Sequence, residues 1–357
     1  MPLSEDPFCE VDNLILAMIA YADLSGIVPA DAGVPIRAAR DGYFGIHSRE
    51  EMKKSKSIPM RAPLLLDGIA DGERFRGTEM CFFSDTTDKT RDLQFSAVTF
   101  RLADGSSYVA FRGTDGTLTG WREDFDLSFL EETEGQKLAV GYLNAVGDRT
   151  DGPITVGGHS KGGNLAVYAA AFCEKEVKDR ITAVYSNDGP GFRRAVAESE
   201  EYASILPRVV SIVPDTSLVG QLLTSKSEPV VVKSSALGIA QHNGMTWSVV
   251  GNRFERCAMS PVGRLIGMTA GAWLEQMDDG ERRFFTDAVF SVFESTGADT
   301  FSEMGDQKLK SAESIVNAVL AMPKDDHRKM RDILRALGQS GGKAATDLIS
   351  EKRTNKE

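Results

Sequence analysis

A serine-containing turn between a predicted strand and a predicted helix constrains the fold of this chain more than any other feature. The stretch is ITVGGHSKGGNLAVYAA, in which Gly158, Ser160 and Gly162 form a G-x-S-x-G motif. The apolar run before the motif predicts a strand, and the alanine-rich run 164–175 after it predicts a helix. A serine on such a sharp turn points its hydroxyl off the top of a sheet, and flanking glycines let the neighbouring backbone come close. The motif therefore predicts an exposed nucleophilic serine above a sheet.

The rest of the chain alternates strand-like and helix-like segments. Strands are predicted over 80–83, 93–111, 154–156, 181–186, 208–213 and 229–233, and a helix over 135–147. The second of these strand segments contains Asp104-Gly105, which supplies the positive φ of a tight hairpin turn. Strands that alternate with helices favour a mainly parallel sheet covered by helices, so we predict an α/β fold.

Chain length and the later pattern predict the domain organisation. With 357 residues the chain can form one large α/β domain with additions. We expect that domain over residues 1–261. From about residue 262 the pattern becomes helical, and we expect 262–339 to form a helical C-terminal extension packed on the first domain. Residues 340–357 are polar, and we expect a disordered tail there.

Composition excludes several classes of function. The formal net charge of −11 argues against nucleic acid as a partner. The four cysteines are far apart with no C-x-x-C pair, which favours reduced thiols over a zinc site or disulfides, and no metal or organic cofactor is implied. The first apolar run, 11–24, is interrupted by polar residues and predicts an amphipathic helix, not a signal peptide or membrane span. We therefore expect a cytoplasmic protein without a transmembrane segment, of unspecified oligomeric state.

A nucleophilic serine needs a general base, which is almost always a histidine. The histidines of this chain are His47, His159, His242 and His327. His159 adjoins the serine and is not expected to turn back onto it. In α/β-hydrolases, which place their serine on a turn of this kind, the chain order is serine, acid, histidine. His242 follows the predicted strand 229–233, whereas His327 lies in a charged helical segment, so we predict His242 as the base.

Two aspartates are candidates for the acid that orients His242. Asp215, in VVSIVPDTSLVG, and Asp188, in VYSNDGPGF, each follow a predicted buried strand. Either carboxylate would hold the histidine in the correct tautomer. Asp215 has the usual position in the chain, whereas Asp188 precedes a Gly-Pro-Gly turn that it would anchor. We predict Asp215 as the acid and a mainly structural Asp188, which stays open as the alternative.

Two groups are candidates for an oxyanion hole. The helix after Ser160 begins with free N–H groups, so the N–H of Lys161 is expected to provide one donor. We expect the Lys161 side chain to point to solvent or ligand. Thr114, in FRGTDGTLTGWREDF, offers a hydroxyl and an N–H, although an ordinary turn is the better interpretation of this stretch taken alone.

Seven stretches make the chain resemble the class 3 (fungal-type) lipases, and more closely a bacterial family related to them. They are VDNLILAMIAYADLSGIVP, QFSAVTF, FRGTDGTLTGWREDF, GGHSKGGNLAVYAA, NDGPGF, VPDTSLVGQLL and VKSSALGIAQHNGMTW. The resemblance implies the α/β-hydrolase fold, Ser160 as nucleophile, His242 as base and Thr114 in the oxyanion hole. Alignment with the lipase acid puts Ser217 at that position instead of Asp215. This keeps Asp188 open, together with a Ser-His dyad.

The function predicted from these residues is a serine hydrolase of the esterase or lipase type. Its substrate would be a small-molecule or lipid carboxylic ester, cleaved through an acyl-enzyme intermediate. The alternative is a non-catalytic α/β-hydrolase scaffold that binds a ligand or partner, which the open question of the acid motivates. Acyl transfer to an acceptor other than water would use the same site residues.

Overall fold

Eight strands form the central sheet of the computed structural model, which describes residues 1–55, 57–297 and 308–354. The strands are β1 (Gly33–Pro35), β2 (Glu79–Asp88), β3 (Leu93–Arg101), β4 (Ser107–Phe111), β5 (Ile154–His159), β6 (Ile181–Asn187), β7 (Val209–Pro214) and β8 (Val230–Val232). They lie in chain order across the sheet. Pairs from β1 to β4 are antiparallel and pairs from β4 to β8 are parallel, so β2 and β4–β8 point one way.

Helices accompany this sheet along the chain. They are α1 (Glu10–Ile19), α2 (Ile36–Ile46), α3 (Arg49–Lys54), α4 (Ile58–Arg61), α5 (Leu64–Ile69), α6 (Leu118–Asp126), α7 (Glu134–Arg149), α8 (Lys161–Phe172), α9 (Lys175–Lys178), α10 (Arg194–Ala197), α11 (Glu200–Ile205), α12 (Pro261–Glu275), α13 (Asp279–Glu294), α14 (Lys308–Ala321) and α15 (Lys324–Thr354). A short hairpin of β9 (Val249–Val250) and β10 (Arg253–Phe254) follows β8. The α/β fold expected from the sequence is confirmed.

Both faces of the sheet are covered by apolar side chains. On one face α7 and α8 pack against β3, β4 and β5, with Leu143 and Leu165 fully buried. On the other face α1 packs against β4 and β5, with Leu16 fully buried. β3 is buried at every position except Arg101 and β4 at every position, although β3 also carries the buried polar side chains of Gln94, Ser96 and Thr99. The predicted hairpin is present between β3 and β4, where Gly105 has a φ of +86°.

The C-terminal helices pack on the loops and helices beside the sheet. α12 begins at Pro261, where the helical pattern was expected to begin, and α13 lies against α6. Phe125 of α6 contacts Phe285 and Phe290 of α13, with ring centroids 6.3 and 5.6 Å apart. An ion pair of 2.5 Å between Arg122 and Asp287 joins the same two helices.

The disordered tail expected over residues 340–357 is wrong for residues 340–354. These residues are helical, because α15 continues to Thr354. The helix is held by apolar positions four residues apart, since Ala344 and Leu348 are buried, and α15 packs against α12. Ser340 Oγ also accepts a hydrogen bond of 2.8 Å from Gln276, the residue that follows α12. Residues 355–357 lie outside the described residues. Within the described ranges, no helix has both the length and the apolar character needed to cross a membrane.

Candidate active site

The turn between β5 and α8 holds Ser160 in a strained backbone conformation. Ser160 has a φ of +58° and a ψ of −131°, a backbone conformation that residues other than glycine rarely adopt. Its N–H donates to the carbonyl of Asn187 at 2.9 Å, which fixes the turn against the end of β6. A Cβ at Gly158 would lie 2.2 Å from Gly162 O, and one at Gly162 would lie 2.1 Å from Phe111 O. The glycines of the motif are therefore required by close backbone approach.

A histidine and a carboxylate meet at the same edge of the sheet. His242 ends a short 3₁₀ turn, Gly238–His242, which follows β8. Its Nδ1 lies 2.7 Å from Oδ2 of Asp188, the residue after β6, whose side chain is fully buried. The other oxygen, Oδ1, accepts hydrogen bonds from Ser217 Oγ at 2.5 Å and from Gly220 N at 3.1 Å. One carboxylate thus holds both the histidine and the loop after β7.

The prediction that Asp215 orients His242 is wrong. Among the described residues, no hydrogen bond or ion pair joins the Asp215 carboxylate to that ring, which bonds Asp188 instead. Asp215 acts through its backbone, accepting from Ser260 N at 2.9 Å. Asp188 has a φ of +50°, so the chain turns sharply as it leaves β6. Ser217, two residues beyond Asp215, is the side chain of that loop that faces Asp188.

His159, next to the serine, is bonded on both ring nitrogens. Its Nε2 lies 2.7 Å from the carbonyl oxygen of His242, and its Nδ1 lies 2.9 Å from Tyr21 Oη. Since a carbonyl oxygen only accepts, Nε2 carries the proton and Nδ1 accepts from the Tyr21 hydroxyl. Burial lowers the pKa of His159 to about 3, so the ring is neutral. The backbone of His242 is therefore fixed to the residue preceding Ser160.

Ser160 and His242 lie close, but their side chains are not joined by a hydrogen bond. The ring centroids of His159 and His242 are 4.6 Å apart, which puts the His242 ring beside the serine turn. Within the described part of the chain, Ser160 Oγ makes no hydrogen bond. Bonds between a nucleophile and its base are often long before substrate binds and tighten in the complex.

Two candidate oxyanion donors flank Ser160. Lys161 is the first residue of α8, so its N–H is one that the helix itself does not use. Thr114 follows Gly113, where a Cβ would lie 3.1 Å from Ser160 Cβ, so the strand β4 ends directly beside the serine. The Thr114 hydroxyl is already engaged, because it donates to Asp124 Oδ2 at 2.6 Å. This leaves the N–H of Thr114 as the donor available at that position.

Comparison with known proteins assigns this chain to a family. The model of the Mbeg1-like family matches residues 69–291. The chain belongs to the Mbeg1-like family. The matched span includes Thr114, Ser160, Asp188 and His242, so the candidate nucleophile, base, acid and oxyanion donors lie within it.

Two solved structures from Rhizomucor miehei are similar to this Mbeg1-like protein. The match to the native lipase propeptide complex has 17% sequence identity and a TM-score of 0.34. It covers 46% of this chain and 59% of the chain in that structure. The match to a deletion mutant of that complex has 15% sequence identity and a TM-score of 0.36. It covers 63% of this chain and 69% of the chain in that structure. The chain thus spans about three fifths of the first of these structures. No curated protein sequence matches it.

The Lys161 side chain of this Mbeg1-like protein is buried, contrary to the expectation that it points to solvent or ligand. Its Nζ donates to Glu123 Oε2 at 2.6 Å and to Gln94 O at 2.7 Å. The start of α8 is enclosed by α6 and β3, so a charged side chain there needs a partner. The sequence predicts neither the Lys161–Glu123 ion pair nor the role of His159. The only signal in the sequence is that His159 and Lys161 both adjoin Ser160.

Proposed function

We propose that this protein is a serine hydrolase that cleaves a carboxylic ester of a small molecule or lipid. The observation that carries the proposal is the 2.7 Å contact between His242 Nδ1 and the buried Asp188 carboxylate, beside a strained Ser160. A carboxylate on Nδ1 fixes the tautomer whose Nε2 accepts a proton, which is what a general base for serine requires.

The proposed reaction proceeds through an acyl-enzyme. Ser160 Oγ attacks the ester carbonyl while His242 Nε2 takes its proton, and Asp188 stabilises the resulting imidazolium. The N–H groups of Thr114 and Lys161 hold the oxyanion of the tetrahedral intermediate. Its collapse breaks the ester C–O bond, and His242 returns the proton to the departing alcohol. A water molecule, deprotonated by His242, then attacks the acyl-enzyme and releases the acid and free Ser160.

A non-catalytic scaffold is the second candidate function. It is favoured by one observation, the lack of a hydrogen bond from Ser160 Oγ among the described residues. Such a protein would keep the fold and the His242–Asp188 pair as structure and would bind a ligand without turning it over.

We further propose a cytoplasmic location, because all four cysteines are unpaired and reduced thiols are typical of that compartment.

The proposal is tested with p-nitrophenyl esters of varied acyl length and a fluorophosphonate probe, on the wild type and Ser160→Ala. We expect the wild type to hydrolyse esters and to be labelled. The variant should lose on the order of 10³-fold or more in turnover at an unchanged melting temperature, because alanine fits the turn. A wild type that neither labels nor hydrolyses would favour the scaffold. Unchanged turnover in the variant would move the nucleophile to another residue.

A further inference from the structure

A buried ion pair lies beside the proposed oxyanion hole. The side chains of Lys161 and Glu123 are 1% and 2% exposed, and Lys161 Nζ lies 2.6 Å from Glu123 Oε2. Glu123 also accepts from Gln94 N and from Gly135 N, each at 3.1 Å. Lys161 Nζ donates in addition to Gln94 O at 2.7 Å. The pair therefore joins β3, α6 and α8 in one set of buried bonds.

Gln94 connects this pair to the loop that carries Thr114. Its backbone contacts both charged groups, while its side chain faces the loop after β4. Oε1 accepts from Asp115 N at 3.2 Å, and Nε2 donates to Thr117 Oγ1 at 3.0 Å. The fit is close, since a Cβ at Gly120 would lie 2.5 Å from Gln94 Oε1. One residue of β3 thus holds the ammonium group of Lys161 and the residue that follows Thr114.

Stability alone is a weak explanation for this arrangement. Removing two charges from water is costly, and apolar residues of similar volume often replace a buried ion pair without loss. The bonds of Lys161 and Gln94 instead lead to the two segments whose N–H groups flank Ser160, while Glu123 also bonds Gly135 of α7. A catalytic donor displaced by about 1 Å can cost about 10²-fold in rate.

We propose that Lys161, Glu123 and Gln94 are positioning residues whose side chains fix the separation of the Thr114 and Lys161 N–H donors. The inference rests on the proposed function, because it requires an oxyanion at this site. The Lys161 side chain anchors the first turn of α8, and the Gln94 side chain anchors the loop after β4. Because both anchors meet at β3, the two donors keep a constant spacing while the oxyanion forms.

The test uses two independent variants. Lys161→Met/Glu123→Gln removes both charges and keeps an amide that can bond Gln94, whereas Gln94→Met frees the loop and leaves the ion pair in place. In each we expect kcat to fall by about 10- to 100-fold with KM unchanged, because the donors act on the transition state. The rate of fluorophosphonate labelling should fall in parallel. The control is Arg101→Met/Glu79→Gln, which removes an exposed ion pair between β2 and β3 at the opposite end of β3 from Gln94 and should leave kcat unchanged.

Wild-type labelling separates this inference from the proposed function. If the wild type is labelled and both folded variants keep wild-type kcat and labelling, the positioning role is overturned while the hydrolase proposal stands. A rise in KM at constant kcat would overturn it equally, since it would indicate a role in ground-state binding. If the double variant does not fold, Gln94→Met decides the question. If the wild type is neither labelled nor active, the proposed function itself has failed.

Discussion

At the scale of single residues, the surroundings of each ionisable side chain define its task. Asp188 is fully buried, and its carboxylate bonds His242, Ser217 and Gly220 together. Burial raises the pKa of Asp124 to about 6, and its carboxylate accepts the hydrogen bond of the Thr114 hydroxyl, which is then not available to an oxyanion. Burial therefore shifts the pKa of Asp124, and the hydrogen-bond partners of each side chain determine whether it is available to a substrate.

Asparagine variants of the two aspartates should separate their roles. Asp188→Asn removes the carboxylate that fixes His242, so kcat should fall by up to about 10⁴-fold. Asp215→Asn serves as the matched control, because that carboxylate does not bond the histidine, and its kcat should stay near the wild-type value. Steady-state kinetics on a p-nitrophenyl ester measure both. A larger loss in Asp215→Asn than in Asp188→Asn would contradict the assignment.

The buried His159 should make the stability of the protein depend on pH. Its pKa is about 3 in the folded state against an ordinary value of 6.5, mainly because of burial. Between these values the unfolded chain binds a proton that the folded protein does not, so stability falls as the pH is lowered from 6.5 toward 3. Urea midpoints of the wild type and His159→Gln at pH 7 and pH 5 measure this, and the variant should lose less on acidification. Equal losses would show that His159 does not carry the effect.

At the scale of elements, the turn from β5 to α8 combines strain with crowding. Ser160 has a positive φ, and the helix that begins after it passes within van der Waals distance of the end of β4. The neighbouring strand β6 holds the turn through the bond from Ser160 N to Asn187 O. The strain is maintained because sheet and helix are fixed on both sides of a single residue.

Two glycine-to-alanine substitutions in helices should have opposite results. Alanine at Gly162 would bring its Cβ to 2.1 Å from Phe111 O, a backbone atom that cannot move aside. We expect Gly162→Ala to lower the free energy of unfolding by about 1–3 kcal/mol or more. Gly141→Ala on α7, where a Cβ meets nothing within 4 Å, should raise it by up to about 1 kcal/mol. Urea denaturation compares the two, and similar values for both would contradict the crowding argument.

At the scale of the whole molecule, the C-terminal helices support the side of the site that carries the Thr114 loop. α13 packs on α6, the helix that contributes Glu123 and Asp124. Arg282 of α13 donates to Ser128 O at 2.7 Å, just after α6 ends. The contacts are apolar inside and charged at the rim, which is typical of elements that fold together.

Truncation of a ring in this contact should destabilise the protein. Phe290 is 1% exposed and packs on Phe125, so Phe290→Ala should lower the free energy of unfolding by about 3–5 kcal/mol. Leu320→Ala on α14, where the side chain is 73% exposed, should change it by less than about 0.5 kcal/mol. Thermal or urea unfolding measures both. If Phe290→Ala has the same free energy of unfolding as the wild type, α13 does not fold together with the sheet.

Features with a local signal are predictable from the amino-acid sequence. The strand, the glycines, Ser160 and the following helix lie within twenty residues, so periodicity and steric limits predict them directly. The hairpin at Gly105 and the alternation of strands and helices follow from the same local rules. His242 was predicted from chain order, which is also a property of sequence.

The carboxylate that bonds His242 follows from long-range contacts in the fold. Asp188 and Asp215 both follow buried strands, and the local signals, chain position and the Gly-Pro-Gly turn, favour the wrong one. The partner of His242 depends instead on how the loops after β6, β7 and β8 converge. The same reason applies to Lys161, whose long side chain is charged in sequence but buried against Glu123 in the fold. Residues 340–354 are polar on average, yet they form a helix, because Ala344 and Leu348 are buried where this helix packs against α12. Contacts between residues distant in sequence depend on the whole fold, and no short window encodes them.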